Sequence, residues 1–224
     1  GGKPRLVLPS PPELAWALWV KGAIDFIGAA IALSASIVFI WWWVAILIKI
    51  SSPHGPIFFR QKRAGRYGKP FTMLKFRTMR PDAESRLDDL KEEHGNEMSG
   101  PVFKLQNDPR VFGFGNFLRR TSIDELPQLF NVLKGNMSLV GPRPLPLYEV
   151  EQFAKSEHRR RLSVKPGIPC LWQAGGRNKI SSFEDWVRLD LEYIDNWSLW
   201  LDVKILLKTV PAVMLRRGSK EKAE

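Results

Sequence analysis

The segment FIGAAIALSASIVFIWWWVAILI, residues 26–48, decides the fold. Its 23 residues carry no charge, and Asp25 and Lys49 bound them. A helix of that length extends about 34 Å, enough to cross the hydrocarbon core of a bilayer. A domain of this size is too small to surround so apolar a cylinder, so a buried core helix is the less favoured alternative. Three consecutive tryptophans, residues 41–43, lie near the far end, where amphipathic rings suit the headgroup level.

The chain as a whole is basic. Its 224 residues include 34 Lys and Arg against 23 Asp and Glu, a formal net charge of +11, and 44% of them are apolar. This excess predicts an anionic partner: nucleic acid, anionic lipid headgroups or phosphorylated small molecules. More basic residues follow the apolar segment than precede it, which places the residues beyond it in the cytoplasm.

A single cysteine excludes an intramolecular disulfide, and three scattered histidines argue against a zinc site. We expect Cys170 to be a packed apolar residue. We expect the three histidines, His54, His94 and His158, to lie at the surface. The chain also lacks the Gly-x-Ser-x-Gly and His-Glu-x-x-His motifs of serine hydrolases and zinc proteases.

The pattern of apolar and turn residues predicts an α/β fold, rich in helix with short strands. Strands are expected at 57–59 and 70–74 around a glycine turn at 65–68. Helices are expected at 82–97, 123–133, 147–161 and 182–197. Residues 196–217 are amphipathic, and they suit equally a helix lying on a bilayer or one packed on the core.

Charge is distributed unevenly around these elements. Residues 51–80 hold eight basic residues and no acid, interleaved with aromatic side chains. That mixture is typical of nucleic-acid binding, but the membrane segment argues against it. Residues 82–97 hold seven acidic and two basic residues and read as a solvated acidic helix.

The segment RRTSIDELPQ, residues 119–128, places two carboxylates where a helix begins. Pro127 is tolerated only in the first turn, so the helix should start at about Ile123 or Asp124. The ordinary interpretation of Asp124 and Glu125 is capping of the helix N-terminus.

Nearby arginines favour a second interpretation of this acidic pair. Arg119 and Arg120 lie just upstream, and Arg143 lies in a proline-framed GPRP loop at 141–144. A carboxylate can attack phosphorus or hold Mg²⁺, while guanidinium groups neutralise the charge on phosphoryl oxygens. The pattern therefore suggests a phosphate-transfer centre.

Several ordered motifs together resemble one known family. They are GPIFFRQKR at 55–63, KFRTM at 75–79, the 119–128 segment, SLVGPRP at 138–144 and KPG at 165–167. These motifs look like those of the bacterial sugar transferases, the monotopic polyprenol-phosphate phosphoglycosyl transferases. The resemblance runs from about residue 21 to residue 217.

The resemblance implies a membrane enzyme that moves a sugar 1-phosphate from a UDP-sugar to undecaprenyl phosphate and releases UMP. Such a step opens the membrane stage of exopolysaccharide, O-antigen or capsule synthesis. Asp124 matches the family's nucleophile, which forms a covalent aspartyl phosphosugar, and Glu125 matches the acid that helps to hold Mg²⁺. Four positions match basic residues expected around the diphosphate: Lys75, Arg77, Arg119 and Arg143.

The resemblance also implies a domain layout. We expect a partly disordered segment at 1–20, a membrane helix at 21–50, a catalytic domain at 51–195 and an amphipathic interfacial segment at 196–224. The expected location is the cytoplasmic face of the bacterial inner membrane, in contact with the bilayer and without nucleic acid. A homodimer is one option for the oligomeric state.

Two departures from the family pattern bear on these expectations. The family usually breaks its membrane helix with a proline, which makes it re-entrant, but residues 26–48 contain none. Only Gly28, Ser34 and Ser36 could soften the helix, so a re-entrant course is expected and a spanning one stays open. Pro169 and Cys170 replace the family's usual small polar and glycine pair.

Two alternatives to the covalent mechanism stay open. One is direct transfer, with Asp124 acting as general base on the lipid phosphate. The other is a non-catalytic membrane scaffold or nucleic-acid-binding protein. The C-terminal stretch at 183–202 resembles that of family members that handle glucose or galactose, without deciding between the two sugars.

Overall fold

The computed structural model describes residues 12–103, 105, 107–170 and 182–215. Residues 1–11, which belong to the segment predicted to be partly disordered at 1–20, lie outside the described residues. So do residues 216–224, the end of the amphipathic segment. Within the described chain the fold is rich in helix and has one short antiparallel sheet, as the sequence predicted.

The apolar segment forms the middle of one long helical stretch. Helix α1 covers Pro12–Ser36, a π-helical turn covers Ile37–Trp41, and helix α2 covers Trp42–Ser51. The helix therefore begins nine residues before the predicted start at residue 21. Among the described residues, this is one helix long and apolar enough to cross a membrane.

The π-helical turn begins directly after Ser36, one of the three residues expected to soften the helix. The buried Ser36 hydroxyl donates to the Leu33 carbonyl at 2.8 Å and accepts from Trp41 Nε1 at 3.0 Å. A side chain that bonds back to a carbonyl in this way disturbs the regular helical ladder. The helix thus widens at a polar side chain rather than at a proline.

The predicted strands form a hairpin. Strand β1 covers Phe58–Ala64 and strand β2 covers Pro70–Phe76, joined by a short 3₁₀ turn at Arg66–Gly68. The register pairs Phe59 with Lys75. This register fixes the position of Lys75 near the end of β2.

The remaining elements are short helices. They are α3 (Leu87–His94), α4 (Gly113–Thr121), a 3₁₀ helix (Ile123–Gln128), α5 (Leu129–Leu133), α6 (Leu147–Glu151), α7 (Ser156–Arg160), a second 3₁₀ turn (Arg161–Ser163), α8 (Phe183–Asp195) and α9 (Leu199–Leu215). The helices predicted at 123–133 and 182–197 are therefore confirmed, the first as two joined helices. The acidic helix starts at Leu87 rather than at residue 82.

The helix predicted at 147–161 is wrong as a single element. It is broken between α6 and α7, where Phe153 turns into the core and meets the rings of His158 and Phe183 at 5.6 and 5.7 Å. Burial of these rings overrides the local helical pattern. His158 is accordingly buried, contrary to the surface position expected for it, and its Nε2 lies 3.2 Å from Glu184 Oε1.

Both arms of the long helix belong to the core. Ala29 and Leu33 of α1 pack with the hairpin and α5, while Val44 and Ile48 of α2 pack with Phe76 and α4. Between them, Trp41 contacts the rings of residues 58, 76 and 130. One stripe of the helix thus lies on the domain.

The opposite stripe of the helix is exposed and apolar. It consists of residues with relative exposures of 52% or more: Trp19, Phe26, Ile27, Ile31, Val38, Phe39, Trp42, Trp43, Ile46 and Ile50. An apolar surface of this extent on one side of a molecule marks a partner or a membrane. Helix α9 is divided in the same way, with Ile205 buried and Trp200 and Leu207 exposed.

Candidate active site

The acidic pair lies at the start of the 3₁₀ helix, beside the end of α4. Ser122 adopts a left-handed conformation, with φ 58°, and separates the two helices. Pro127 lies within the 3₁₀ helix, as its sequence position predicted. Asp124 and Glu125 are 6% and 5% exposed, far more buried than capping carboxylates on a surface helix would be.

Two cations from distant parts of the chain converge on Glu125. Lys75 Nζ lies 2.9 Å from Glu125 Oε1, and Arg143 Nη1 donates to the same oxygen at 3.0 Å. Lys75 Nζ also lies 3.7 Å from Asp124 Oδ2. The structure therefore brings together four of the six residues predicted for the site.

Arg119 adds a further positive charge that acts on Asp124. It lies at the end of α4, where its Nε donates to Thr78 Oγ1 at 3.0 Å. Burial lowers the pKa of Arg119, and the charge of Asp124 opposes that shift. Arg119 is thus placed to act on Asp124 through its field.

The electrostatics of the carboxylates follow from their burial. Burial raises the pKa of Asp124, the neighbouring Glu125 charge adds to this, and Lys75 opposes it. Burial lowers the pKa of Lys75. Burial alone would lower the pKa of Arg143, but the charge and hydrogen bond of Glu125 raise it. Burial thus disfavours the charged forms of Asp124 and Lys75, and the attraction between these opposite charges favours them.

The structure places Arg77 away from this cluster. Its guanidinium donates to Ser52 Oγ and to the Ser52 carbonyl, both at 2.7 Å, and to the Pro56 carbonyl at 2.5 Å. Arg77 thus ties the end of β2 to the end of α2. Its predicted contact with a diphosphate stays a prediction.

Glycines hold the GPRP loop against the KPG motif. A Cβ on Gly167 would lie 2.0 Å from the Gly141 nitrogen, so the two backbones are packed in direct contact. Gly167 N donates to the Pro142 carbonyl at 2.9 Å, and Ser138 N donates to the Pro166 carbonyl at 2.8 Å. This packing explains why both motifs contain glycine, and it fixes the loop that carries Arg143.

A buried ion pair supports the same loop from the other side. Arg161 Nη2 lies 2.5 Å from Asp190 Oδ2 and donates to the Arg143 carbonyl at 3.1 Å. Both side chains of the pair are 1% exposed. Helix α8 therefore acts on Arg143 through Arg161.

Sequence reasoning missed several of these supporting residues. Asn131 of α5 accepts from Leu74 N at 3.1 Å and donates to the Thr72 carbonyl at 2.7 Å, which locks the strand that carries Lys75. Asp25 was noted only as the boundary of the apolar segment, although it binds the loop before Arg143. A lone acid at the edge of an uncharged stretch was the available signal.

The predicted magnesium site stays a prediction. The described residues contain no group of three or more His, Cys, Asp or Glu side chains that could hold a metal. Mg²⁺ is commonly held by one or two carboxylates together with substrate phosphates and water. Glu125 could supply one such carboxylate, which leaves Asp124 free as the predicted nucleophile.

Comparison with known proteins places the chain in a family. The profile described as bacterial sugar transferase matches residues 16–216. Exopolysaccharide production protein ExoY of Rhizobium meliloti is 40% identical over 203 residues, which cover 89% of this chain and 87% of that protein. The chain belongs to the bacterial sugar transferase family.

Two further relatives are longer. Galactosyl transferase CpsE of Streptococcus agalactiae is 48% identical over 205 residues, 91% of this chain and 44% of that protein. Undecaprenyl-phosphate galactose phosphotransferase of Salmonella typhimurium is 42% identical over 204 residues, 90% of this chain and 42% of that protein. The chain spans less than half the length of these two relatives.

Proposed function

We propose that this protein is a phosphoglycosyl transferase that moves a sugar 1-phosphate from a UDP-sugar to undecaprenyl phosphate. The observation that carries the proposal is the buried pair Asp124 and Glu125, with Lys75 and Arg143 in direct contact and the charge of Arg119 acting on Asp124. Phosphoryl transfer needs a nucleophile and cations that take up the spreading phosphoryl charge. The Salmonella typhimurium relative, an undecaprenyl-phosphate galactose phosphotransferase, is named for the same class of reaction.

In the first step, a carboxylate oxygen of Asp124 attacks the β-phosphorus of the UDP-sugar. The bond from that phosphorus to the bridging oxygen breaks, and the bridging oxygen leaves with UMP. The product is a mixed anhydride between the Asp124 carboxyl and the sugar 1-phosphate. Lys75, Arg119 and Arg143 stabilise the negative charge on the phosphoryl oxygens.

In the second step, an oxygen of undecaprenyl phosphate attacks the same phosphorus. The bond to Asp124 breaks, which regenerates the carboxylate and yields undecaprenyl diphosphate sugar. Asp124 is the nucleophile of the first step and the leaving group of the second, and both steps use the same set of cations, so a single site serves both substrates.

The two carboxylates differ in their contacts, which supports a division of roles. Glu125 Oε1 accepts from both Lys75 and Arg143, whereas Asp124 meets Lys75 only at 3.7 Å. The less tightly held carboxylate is the better nucleophile. Glu125 would hold Mg²⁺, which supplies Lewis-acid neutralisation of the diphosphate when it is bound.

A membrane location follows from the same geometry. The uncharged stretch 26–48 exposes an apolar stripe while its other stripe lies on the catalytic domain. Because both α1 and α2 contact that domain, the proposal places the helix in a re-entrant position, with the site at the cytoplasmic face of the inner membrane. A polyprenyl phosphate then reaches the site from the bilayer and a UDP-sugar from water.

The covalent intermediate gives the sharpest test. Protein in phospholipid nanodiscs is mixed with UDP-glucose or UDP-galactose, Mg²⁺ and no lipid acceptor, and its intact mass is measured. We expect a mass increase of one hexose phosphate and release of UMP. Asp124→Asn should abolish both, because an amide cannot form the anhydride.

The control is Asp88→Asn, which changes an exposed carboxylate on α3 and should behave as the wild type. Turnover with undecaprenyl phosphate but no adduct would favour direct transfer, with Asp124 as general base. No UMP release under any condition would refute the proposed function.

A further inference from the structure

The buried side chain of Asp25 joins the long apolar helix to the loop that carries Arg143. Asp25 Oδ2 accepts from Ser138 Oγ at 2.7 Å, and Asp25 Oδ1 accepts from Leu139 N at 3.1 Å. These two residues begin the SLVGPRP motif, which ends at Pro144. The carboxylate thus holds both a side chain and a backbone amide of the loop.

The helix also meets this loop through close packing. A Cβ on Gly28 would lie 2.9 Å from Leu139 Cδ1, so the absence of a side chain there lets the helix approach. Asp25 and Gly28 lie on the same face of α1, one turn apart. The contact between helix and loop is therefore both polar and steric.

Asp25 is itself held in place by a second set of contacts. Lys21 Nζ lies 3.4 Å from Asp25 Oδ1 and 2.6 Å from Asp202 Oδ2. Tyr193 donates from its hydroxyl to Asp202 Oδ1 at 2.8 Å and lies 3.1 Å from the Val140 carbonyl oxygen. Helices α1, α8 and α9 thus converge on residues 138–140.

The loop is consequently held from two sides. The KPG segment binds its backbone on one side, and Asp25 binds Ser138 and Leu139 on the other. Four residues beyond Leu139, Arg143 reaches Glu125 at 3.0 Å. Pro142 and Pro144 flank Arg143 and leave little backbone freedom between the anchored part of the loop and the guanidinium.

We propose that Asp25 is a positioning residue that sets the position of Arg143 by anchoring Ser138 and Leu139. This inference rests on the proposed function. It adds that the seating of the apolar helix on the domain and the geometry of the phosphate site are linked through one carboxylate. Asp25 does not touch substrate; it acts through the loop.

The test measures single-turnover UMP release from UDP-glucose or UDP-galactose by the full chain in phospholipid nanodiscs. Asp25→Ala should slow this first step about 10- to 100-fold, the loss expected when a catalytic group is displaced by about 1 Å. Asp25→Asn should retain most of the rate, because its amide oxygen can still accept from Leu139 N.

A double variant separates positioning from general destabilisation. In an Arg143→Lys background, the loss caused by Asp25→Ala should shrink to less than about threefold, because the guanidinium fork that it positions is already gone. If the double variant loses the full product of the rate losses seen in the two single variants, the proposal is overturned. So would a wild-type rate in Asp25→Ala.

Two further variants keep the proposal falsifiable if Asp25→Ala fails to fold. Ser138→Ala removes the other end of the same hydrogen bond and should slow UMP release with the same dependence on Arg143. Ser36→Ala is the matched control, since it removes a buried hydroxyl from the same helix whose hydrogen bonds, within the part of the chain that the structure describes, go to Leu33 and Trp41 rather than to the loop. Equal rates in Ser138→Ala and the wild type would overturn the inference.

The outcomes also separate this inference from the proposed function. If the wild type releases no UMP, the proposed function fails. If the wild type releases UMP and the Asp25 and Ser138 variants match it, only the positioning role fails.

Discussion

At the scale of single residues, the site depends on how two adjacent carboxylates share their partners. Glu125 Oε1 receives both Lys75 and Arg143, while Asp124 is buried with weaker direct contacts. Removing one partner of such a buried set leaves the others uncompensated. The two acids should therefore respond differently to the loss of charge.

Substitution of Glu125 tests its part in metal binding. Glu125→Gln keeps the size of the side chain but removes the charge, so the Mg²⁺ concentration for half-maximal UMP release should rise about tenfold or more. A titration of UMP release with MgCl₂ measures this. An unchanged titration curve would remove Glu125 from the metal site.

At the scale of elements, glycine positions decide how closely helices approach the hairpin. A Cβ on Gly115 of α4 would lie 2.1 Å from the Thr78 carbonyl oxygen, whereas one on Gly113 would meet nothing within 4 Å. Gly115 thus lets α4, which carries Arg119, dock on the segment that follows β2.

These two glycines form a matched pair for measurement. Gly115→Ala should lower the free energy of unfolding by about 1–3 kcal/mol, because the added methyl group forces backbone apart. Gly113→Ala should leave it unchanged or raise it by up to about 1 kcal/mol. Thermal unfolding in detergent micelles compares them, and equal destabilisation by both would contradict the packing argument.

The sequence predicted the elements whose signal is local. The apolar helix, the hairpin around residues 65–68 and the helix beginning at Ile123 each follow from hydropathy, glycine or proline. The acidic pair and Arg143 were predicted in the same way, because each lies in a short motif that can be read from neighbouring residues. The prediction of a single helix at 147–161 was wrong because it depends on distant partners: Phe153 packs against Phe183 and breaks the helix.

The supporting contacts of the site are long-range and could not be predicted. Asn131 binds a strand about 60 residues earlier, and Asp25 binds Ser138, 113 residues later. No local pattern encodes such pairs. The place of Arg77 within the KFRTM motif gave no sign that its guanidinium would donate to the carbonyl groups of residues 52 and 56.

At the scale of the whole molecule, one buried acid, Glu149, makes the free energy of unfolding depend on pH. Burial raises the pKa of Glu149 to about 7, against the charges of Arg63, Arg143 and Arg161. Among the described residues, Glu149 Oε2 has no hydrogen-bond partner. Between about pH 4.5 and pH 7, Glu149 therefore keeps a proton in the folded protein that it has released in the unfolded chain.

A pH series of unfolding measures this effect. Because the folded pKa lies above the ordinary value of 4.5, the free energy of unfolding should fall as pH rises from about 4.5 to about 7, by at most about 3 kcal/mol. Glu149→Gln should remove that part of the slope, so its advantage over the wild type should grow through this window and level off above it.

The control is Glu151→Gln, which changes an exposed acid two residues away. It should keep the wild-type slope. Parallel pH curves for Glu149→Gln and the wild type would show that Glu149 is ionised in the folded protein throughout.

The pairing of Asp25 with Ser138 also constrains the order of events during synthesis. The partners of this helix are made long after it, since Ser138 follows by 113 residues and Asp202 lies 181 residues beyond Lys21. At about 5–20 residues per second, the ribosome needs roughly 10–40 s to supply the last of them. Asp25 therefore lacks its partner Ser138 while the helix is first made. We expect the packing of this helix on the domain to be among the last steps of folding.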